Sequence, residues 1–239
     1  MIATIINAAL ILVGSLLGFL LKNRISARFS AVLTHALALC VMSIGISMAV
    51  DTANTLCVIV CVVVGVIIGE LLKIEDRLDS LGETLRRKLV KGDDNSMFSE
   101  GFVTATLLYC VGAMAITGSI EAGLNHNYSI IISKGVIDGM TSITFAATMG
   151  IGVAFSIFPL IIYQGAITLL AAVVGPYLPA EIIVEMSAVG GIAIMGIAIN
   201  MLKIPNVNIK VGNMLPAIFL PIAYYPVLNL IREWIAVFS

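Results

Sequence analysis

The chain has 239 residues, of which 60% are hydrophobic and only 11% are charged, and its mean hydropathy is +1.10. Soluble domains carry about 25% charged residues, so this composition excludes an ordinary soluble domain and indicates an integral membrane protein. The formal net charge of −1 leaves no basic excess to neutralise phosphates, and we therefore expect no nucleic acid among the partners.

Eight apolar runs of roughly 20 residues each predict membrane-spanning helices. They cover residues 2–21, 31–50, 55–72, 101–120, 129–151, 153–174, 181–202 and 214–237. The first run has no basic segment before it, so we expect a transmembrane helix there and not a cleaved signal peptide. No polar loop divides the fifth run from the sixth. This block is either two crossings joined by a tight turn near Gly150 and Gly152, or a broken or re-entrant pair.

Basic residues decide between these alternatives, because positively charged loops stay in the cytoplasm. They follow the first run (Lys22, Arg24, Arg28), the third (Lys73, Arg77, Arg86, Arg87, Lys88, Lys91) and the seventh (Lys203, Lys210). These loops share one side only if the 129–177 block crosses twice. We therefore expect eight crossings, with both termini outside.

Aromatic and acidic residues fit the same orientation. Tyr128, Tyr177 and Trp234 would lie at the outer interface, where amphipathic rings settle. The acidic residues expected in outer loops are Asp51, Glu121, Glu181 and Glu185. They are either ordinary surface charges or a means of drawing cations toward an entrance.

The segment after the third run, within residues 74–99, predicts an amphipathic helix on the cytoplasmic surface. Its apolar residues recur at helical spacing, at Ile74, Leu78, Leu81, Leu85 and Leu89, with charges on the opposite face. Residues 92–96 are interpreted as a short turn.

Two segments of the first half resemble each other. VGSLLGFLLK (13–22) and VGVIIGELLK (64–73) share about six of ten positions, including a GxxxG pair that lets helix backbones approach closely. We interpret residues 1–120 as duplicated helix hairpins and residues 129–239 as a second helical half. The whole chain, 1–239, is then a single all-α polytopic membrane domain.

The fifth run carries polar residues that would share one helical stripe, at spacings of four, three and seven: Lys134, Asp138, Thr141 and Thr148. Ser142 lies beside the stripe, and Gln164 adds a polar group on the sixth run. A charged stripe at membrane depth turns toward a protein interior or a water-filled cavity, so these six residues form a candidate substrate- or ion-binding site.

The chemistry of this stripe has two interpretations. Asp138 is a proton- or cation-binding carboxylate with hydroxyl oxygens around it, or Lys134 and Asp138 are a buried ion pair that fixes helix packing. Gly150, Gly152 and Pro159 are predicted to break the helices and could aim backbone groups at a ligand. A water-accessible cavity at Asp138 would favour the first interpretation, and a dry, fully paired carboxylate would favour the second.

Catalytic, metal and cofactor sites find little support in the sequence. His35 and His126 lie far apart, no HExxH, GxSxG or phosphate-loop motif occurs, and the four cysteines lie inside apolar runs. We predict no catalytic residue, no metal and no cofactor. A membrane enzyme would need a second reactive group beside Asp138.

Two stretches, IEDRLDSLGETL (74–85) and KGVIDGMTSITFAATMGIGVAFSIFPLIIYQG (134–165), resemble the YqgA/YdfK-like family of bacterial inner-membrane proteins, a domain of unknown function. The resemblance covers nearly the whole chain and implies a bacterial cytoplasmic-membrane protein, with transport often suspected. Our hypothesis is a small transporter or ion-conducting protein for a cation or small polar solute, with a homodimer as a possible assembly. The alternatives are a membrane-embedded scaffold with a structural ion pair and, after it, a membrane enzyme.

Overall fold

The computed structural model describes residues 1–22, 26–89 and 97–228 and is helical, with no strand among them. The helices are α1 (Ile2–Lys22), α2 (Ala27–Val50), α3 (Thr55–Leu72), α4 (Ile74–Leu89), α5 (Phe98–Cys110), α6 (Ala113–Leu124), α7 (Ser129–Met149), α8 (Gly152–Phe155), α9 (Ile157–Leu169), α10 (Ala171–Val174), α11 (Ala180–Met201), α12 (Leu215–Phe219) and α13 (Pro221–Leu228). The predicted all-α polytopic class is confirmed. Arg24, Lys91, Arg232, Trp234 and the turn at 92–96 lie outside the described residues.

Six segments are long and apolar enough to cross a membrane, namely α1, residues 28–50 of α2, α3, α7, the α8–α9 segment (Gly152–Leu169) and α11. Two further crossings are bent. The pair α5 and α6 bends by 57°, next to Gly112 with its φ of +124°, and the last span bends by 43° before Pro221, which has no N–H to continue the helix. Counting each bent pair as one span gives eight, the number expected from the sequence.

Close backbone contacts set the relative directions of these spans. The contacting pairs are Gly14 with Gly139 and Gly18 with Ile143 (α1 and α7), Gly45 with Met195 and Ala49 with Gly191 (α2 and α11), Gly65 with Ala217 and Gly69 with Asn213 (α3 and the start of the last span), and Gly101 with Val153 and Gly123 with Thr168 (the fourth and sixth spans). Helices α1 and α7 therefore run parallel, as do the fourth and sixth spans. Helices α2 and α11 run antiparallel, as do α3 and the last span. These relations fit spans that alternate in direction along the chain, and we name the two ends of the bundle the Met1 end and the Lys22 end.

The turn between α7 and α8 lies at the Lys22 end. Gly150 has φ +86°, a conformation that other residues rarely adopt, and a methyl group on Gly152 would overlap the backbone of Phe98. The 129–177 block is therefore two crossings joined by a tight turn. Pro159 lies in the first turn of α9, and its missing N–H explains the short break at Ser156.

The amphipathic helix α4 is held against the loop that precedes the last span. The Glu75 N–H donates to Asn213 Oδ1 at 2.8 Å, and the N–H of Gly212 donates to the Glu75 carboxylate. Asn213 Nδ2 also donates to the Glu70 carboxylate at 2.6 Å. Most of α11 is buried at the centre of the bundle, whereas α1, α2 and α3 leave much of their surface to lipid.

Candidate functional site in the membrane-embedded core

Lys134 and Asp138 lie on successive turns of α7 and form an ion pair that is buried inside the bundle. The pair lies near the middle of α7, because Asp138 follows Ser129 by nine residues, or about 14 Å at 1.5 Å per residue. The charged part of the predicted stripe therefore faces protein and not lipid.

Two amide side chains from other helices extend this pair. Asn7 on α1 donates through Nδ2 to Asp138 Oδ2 at 3.4 Å and to Gln164 Oε1 on α9 at 3.3 Å. Both amides are fully buried. Their remaining polar atoms, Asn7 Oδ1 and Gln164 Nε2, have no hydrogen-bond partner among the described residues. The carboxylate thus belongs to a network that leaves one acceptor and one donor unused.

The phenol of Tyr109, on α5, lies on another side of the ion pair. Tyr109 Oη lies 2.8 Å from Ser142 Oγ, and the Ser142 hydroxyl also lies 2.7 Å from the backbone carbonyl oxygen of Asp138. Lys134 Nζ is 5.9 Å from the centroid of the Tyr109 ring, within cation–π range. We call this set of six residues from four helices the polar cluster: Asn7, Tyr109, Lys134, Asp138, Ser142 and Gln164.

Small residues explain why α1 approaches α7 closely enough to build this cluster. A methyl group on Gly14 would overlap the carbonyl oxygen of Gly139, and one on Gly135 would lie 3.1 Å from the Cα of Asn7. Backbone contact of this kind draws the Asn7 side chain to the carboxylate. The GxxxG motif in α1 therefore positions a residue of the site.

Several predicted site residues lie outside the cluster. Thr141 donates back to the carbonyl of Asp138 at 3.0 Å, on its own helix. Thr148 is ten residues, or about 15 Å, along α7 from Asp138 and donates to the carbonyl of Thr144. Gly150 and Gly152 lie at the turn at the Lys22 end, and Pro159 lies in the first turn of α9, five residues before Gln164. The expectation that they aim backbone groups at a ligand stays a prediction.

The chain matches a family model described as a protein of unknown function, DUF554, over residues 2–226. The chain belongs to this family. It is 37% identical over 134 residues to the uncharacterized membrane protein YdfK of Bacillus subtilis strain 168, a match that covers 56% of this chain and 58% of the relative. It is 29% identical over 222 residues to the uncharacterized protein YqgA of Escherichia coli K12, covering 92% and 94%. No solved structure matches.

The matched region of DUF554 contains all six residues of the polar cluster, and the relatives carry no assigned activity. The apolar helices support a multi-pass membrane protein, in keeping with the membrane protein YdfK among the relatives.

Two sizeable cavities of this DUF554 protein lie away from the ion pair. A polar cleft of about 410 Å³ lies beside the N-terminus of α5 and the C-terminus of α11. An apolar groove of about 470 Å³ lies between α6, α9, α11 and the last span. Neither is lined by Lys134 or Asp138. Neither is therefore the water-accessible cavity at Asp138 that would favour an ion-binding carboxylate, and the side chains of the pair are buried in this conformation.

Glu185 differs from its expected place in an outer loop. It lies on α11, fully buried, and its carboxylate accepts the N–H groups of Ala53 and Asn54, both at 3.0 Å, and the hydroxyl of Thr52. This carboxylate fixes the turn between α2 and α3 at the Met1 end. It is therefore a structural anchor, and its burial removes it from any surface that attracts cations.

Proposed function

We propose that this protein is a small membrane transporter or ion-conducting protein for a small cation or polar solute, and that Asp138 is its binding group. One observation carries the proposal: a buried carboxylate adjoins two amides that each keep an unused hydrogen-bonding atom. A core that serves packing alone pairs its polar groups, because an unpaired buried amide atom is costly. Unused hydrogen-bond donors and acceptors beside a carboxylate can bind a cation or a polar solute.

The composition of the cluster favours a monovalent cation or a proton. Asp138 is its one carboxylate, and its other oxygens belong to neutral amides and hydroxyls. Sites for Ca²⁺ and Mg²⁺ in proteins usually gather several carboxylates or keep coordinated water. Among the described residues, no group of three or more His, Cys, Asp or Glu side chains could hold a metal ion.

Lys134 then acts as a tethered counter-cation. Its ammonium group is paired with the carboxylate of Asp138 in this conformation, so a solute cation has to displace the ammonium group. The lysine stem is flexible, and its ammonium can move between the carboxylate and the face of Tyr109. An ion pair of this kind keeps the site neutral while it is empty of solute and limits the cost of burying Asp138.

The test is a flux assay in proteoliposomes with a panel of monovalent cations and small polar solutes. Asp138→Asn keeps the shape of the side chain and removes its charge, so we expect it to abolish flux. Glu70→Gln is the matched control, because Glu70 is also paired with a lysine but is exposed. Asp138 is not the binding group if the asparagine variant conducts as well as wild type while the control is also unchanged.

Lys134→Gln tests the tethered cation. Removing the competing ammonium leaves Asp138 free for a solute cation, so we expect the transported cation to bind more tightly and its half-saturating concentration to fall. An unchanged half-saturating concentration at preserved flux would show that Lys134 does not compete for the carboxylate.

A membrane-embedded interaction or scaffold protein is the second candidate, and the enclosure of the Lys134–Asp138 pair favours it. It predicts that the wild-type protein conducts nothing in the panel and that variants of the pair alter only folding. Multi-angle light scattering in detergent would show whether a homodimer forms, as our hypothesis of a shared pathway includes. Placement in the cytoplasmic membrane with both termini outside also belongs to the proposal, and reporter fusions at residue 1 and at residue 239 would test the orientation.

A further inference from the structure

We infer that the transported cation reaches Asp138 from the Met1 end of the bundle, through a polar seam between α1 and α9. This inference rests on the proposed function. The polar seam consists of Thr4 and Asn7 on α1 and Gln164 and Thr168 on α9. Helices α1 and α9 have to separate along this seam for the site to open.

Unsatisfied polar atoms mark the seam. All four side chains are buried, and each has an atom without a hydrogen-bond partner among the described residues: Thr4 Oγ1, Asn7 Oδ1, Gln164 Nε2 and Thr168 Oγ1. Only Ser15 and Thr106 share this property in the described part of the chain. Buried polar atoms are otherwise paired with protein or with ordered water, so a cluster of them on facing helices suits a path that holds water.

Helix register places the two threonines on the Met1 side of the two amides. α1 and α9 run antiparallel, and the Asn7–Gln164 hydrogen bond joins them at one level. Thr4 precedes Asn7 by one turn and Thr168 follows Gln164 by one turn, so both threonines lie on the Met1 side of that level. The side chain of Met1 itself lies beside Gly165 of α9. The seam thus leads from the Met1 end directly to Asp138, which Asn7 contacts.

The two sides of α1 differ in how firmly they are held. Toward α7, Gly14 and Gly18 press against backbone, and the two helices are packed along their length. Toward α9, the side-chain hydrogen bond between described residues is the single amide–amide bond at 3.3 Å. The opposite side of α9, at Ile162 and Ala166, borders the apolar groove of about 470 Å³. On another side, α9 keeps a close contact with α6, where Gly123 meets the backbone of Thr168. We therefore expect the bundle to open at the α1–α9 interface, because it is held less firmly than the α1–α7 interface.

Cysteine accessibility tests the route. In a variant whose four natural cysteines are replaced and whose flux is retained, Thr4→Cys and Thr168→Cys are exposed to a membrane-impermeant, cationic thiol reagent, applied to each membrane side in turn. Ile5→Cys and Leu169→Cys are matched controls, since these neighbours on the same helices are 58% and 69% exposed on the bundle surface and face lipid. We expect both threonine positions to react from one side only, with loss of flux and protection by the transported cation.

The outcomes separate the inference from the proposed function. If flux persists while neither threonine position reacts from either side, the route lies elsewhere and the inference is wrong, although transport stands. If no solute crosses in the wild-type protein, the proposed function fails, and the inference fails with it. Thr4→Val and Thr168→Val add a measurement without labelling: severalfold slower flux supports the seam, and unchanged flux at unchanged expression contradicts it.

Discussion

Two helix interfaces of this molecule are built on similar glycine-containing segments, but their ion pairs differ in burial. The segment 13–22 packs its glycines against α7, and the segment 64–73 packs its glycines against the start of the last span. Each interface also carries one lysine–carboxylate pair, Lys134–Asp138 in the first and Lys210–Glu70 in the second.

The two pairs differ in their access to water. The side chains of Lys134 and Asp138 are 7% and 8% exposed, whereas those of Lys210 and Glu70 are 52% and 60% exposed. The first pair lies mid-helix, and the second lies where α3 ends. A glycine motif thus brings two helices into close contact at both interfaces. The interface with the buried ion pair contains a polar site, and the interface with the exposed pair contains only a surface salt bridge.

The largest effect that we predict comes from breaking the buried pair on one side. Lys134→Leu leaves Asp138 as a buried carboxylate with only the long Asn7 hydrogen bond on its side-chain oxygens. Such a change typically costs about 3–5 kcal/mol, because an uncompensated charge remains in the interior. The free energy of unfolding in mixed micelles, measured by denaturant titration, checks this value.

The double variant Lys134→Leu with Asp138→Leu is the control for that prediction. It removes both charges and should restore most of the lost stability, and we expect no flux because it lacks Asp138. A double variant as unstable as the single one would show that packing, and not the unpaired charge, sets the cost.

The next largest effect concerns the two glycine contacts. Gly14→Ala and Gly65→Ala each push a methyl group into a facing backbone, and overpacking of this kind costs about 1–3 kcal/mol. We expect similar losses of stability in both. Flux should separate them, because Gly14→Ala moves Asn7 away from Asp138 and Gly65→Ala leaves the polar cluster intact. Equal flux in the two variants would contradict the positioning role of the α1 motif.

Much of the fold could be predicted from local patterns. Apolar runs of bilayer length locate the spans, and the basic residues after the first, third and seventh runs required two crossings in the 129–177 block, as the tight turn at Gly150 provides. The bend at Gly112 could not be predicted in this way, because the hydropathy of a segment does not show whether its helix is straight or bent. The internal duplication stays a prediction.

The site was predictable only where its residues share a helix. The spacing of Lys134 and Asp138 placed them on one stripe, since helical periodicity is local. Asn7 and Tyr109 join the cluster through contacts with residues 131 and 33 positions away, which no local pattern contains. Glu185 was misplaced for the same reason: its partners at the α2–α3 turn lie more than 130 residues away.

A smaller effect should distinguish two buried asparagines. Both side-chain atoms of Asn213 are bonded, to the N–H of Glu75 and to the Glu70 carboxylate, whereas Asn7 keeps Oδ1 unpaired. Asn213→Leu should cost about 1–3 kcal/mol, because it leaves the Glu75 N–H and the Glu70 carboxylate without these hydrogen bonds. Asn7→Leu should cost a similar amount, because it removes the hydrogen bonds to Asp138 and Gln164, and it alone should also slow flux. Denaturant titration and the flux assay together check the contrast, and equal flux in the two variants would contradict it.

The smallest effect that we predict is in the exposed pair. Lys210→Leu removes an ion pair whose two side chains are more than half exposed, and such pairs contribute about 0–1 kcal/mol. Salt should shrink even this difference, because exposed charges are screened, whereas the effect of Lys134→Leu should persist at high salt. Denaturant titration of both variants at low and high salt makes the comparison directly. A loss in Lys210→Leu as large as that in Lys134→Leu would mean that depth in the bundle does not separate the two interfaces, since the same lysine–carboxylate chemistry would then have the same energetic weight at the surface as in the core.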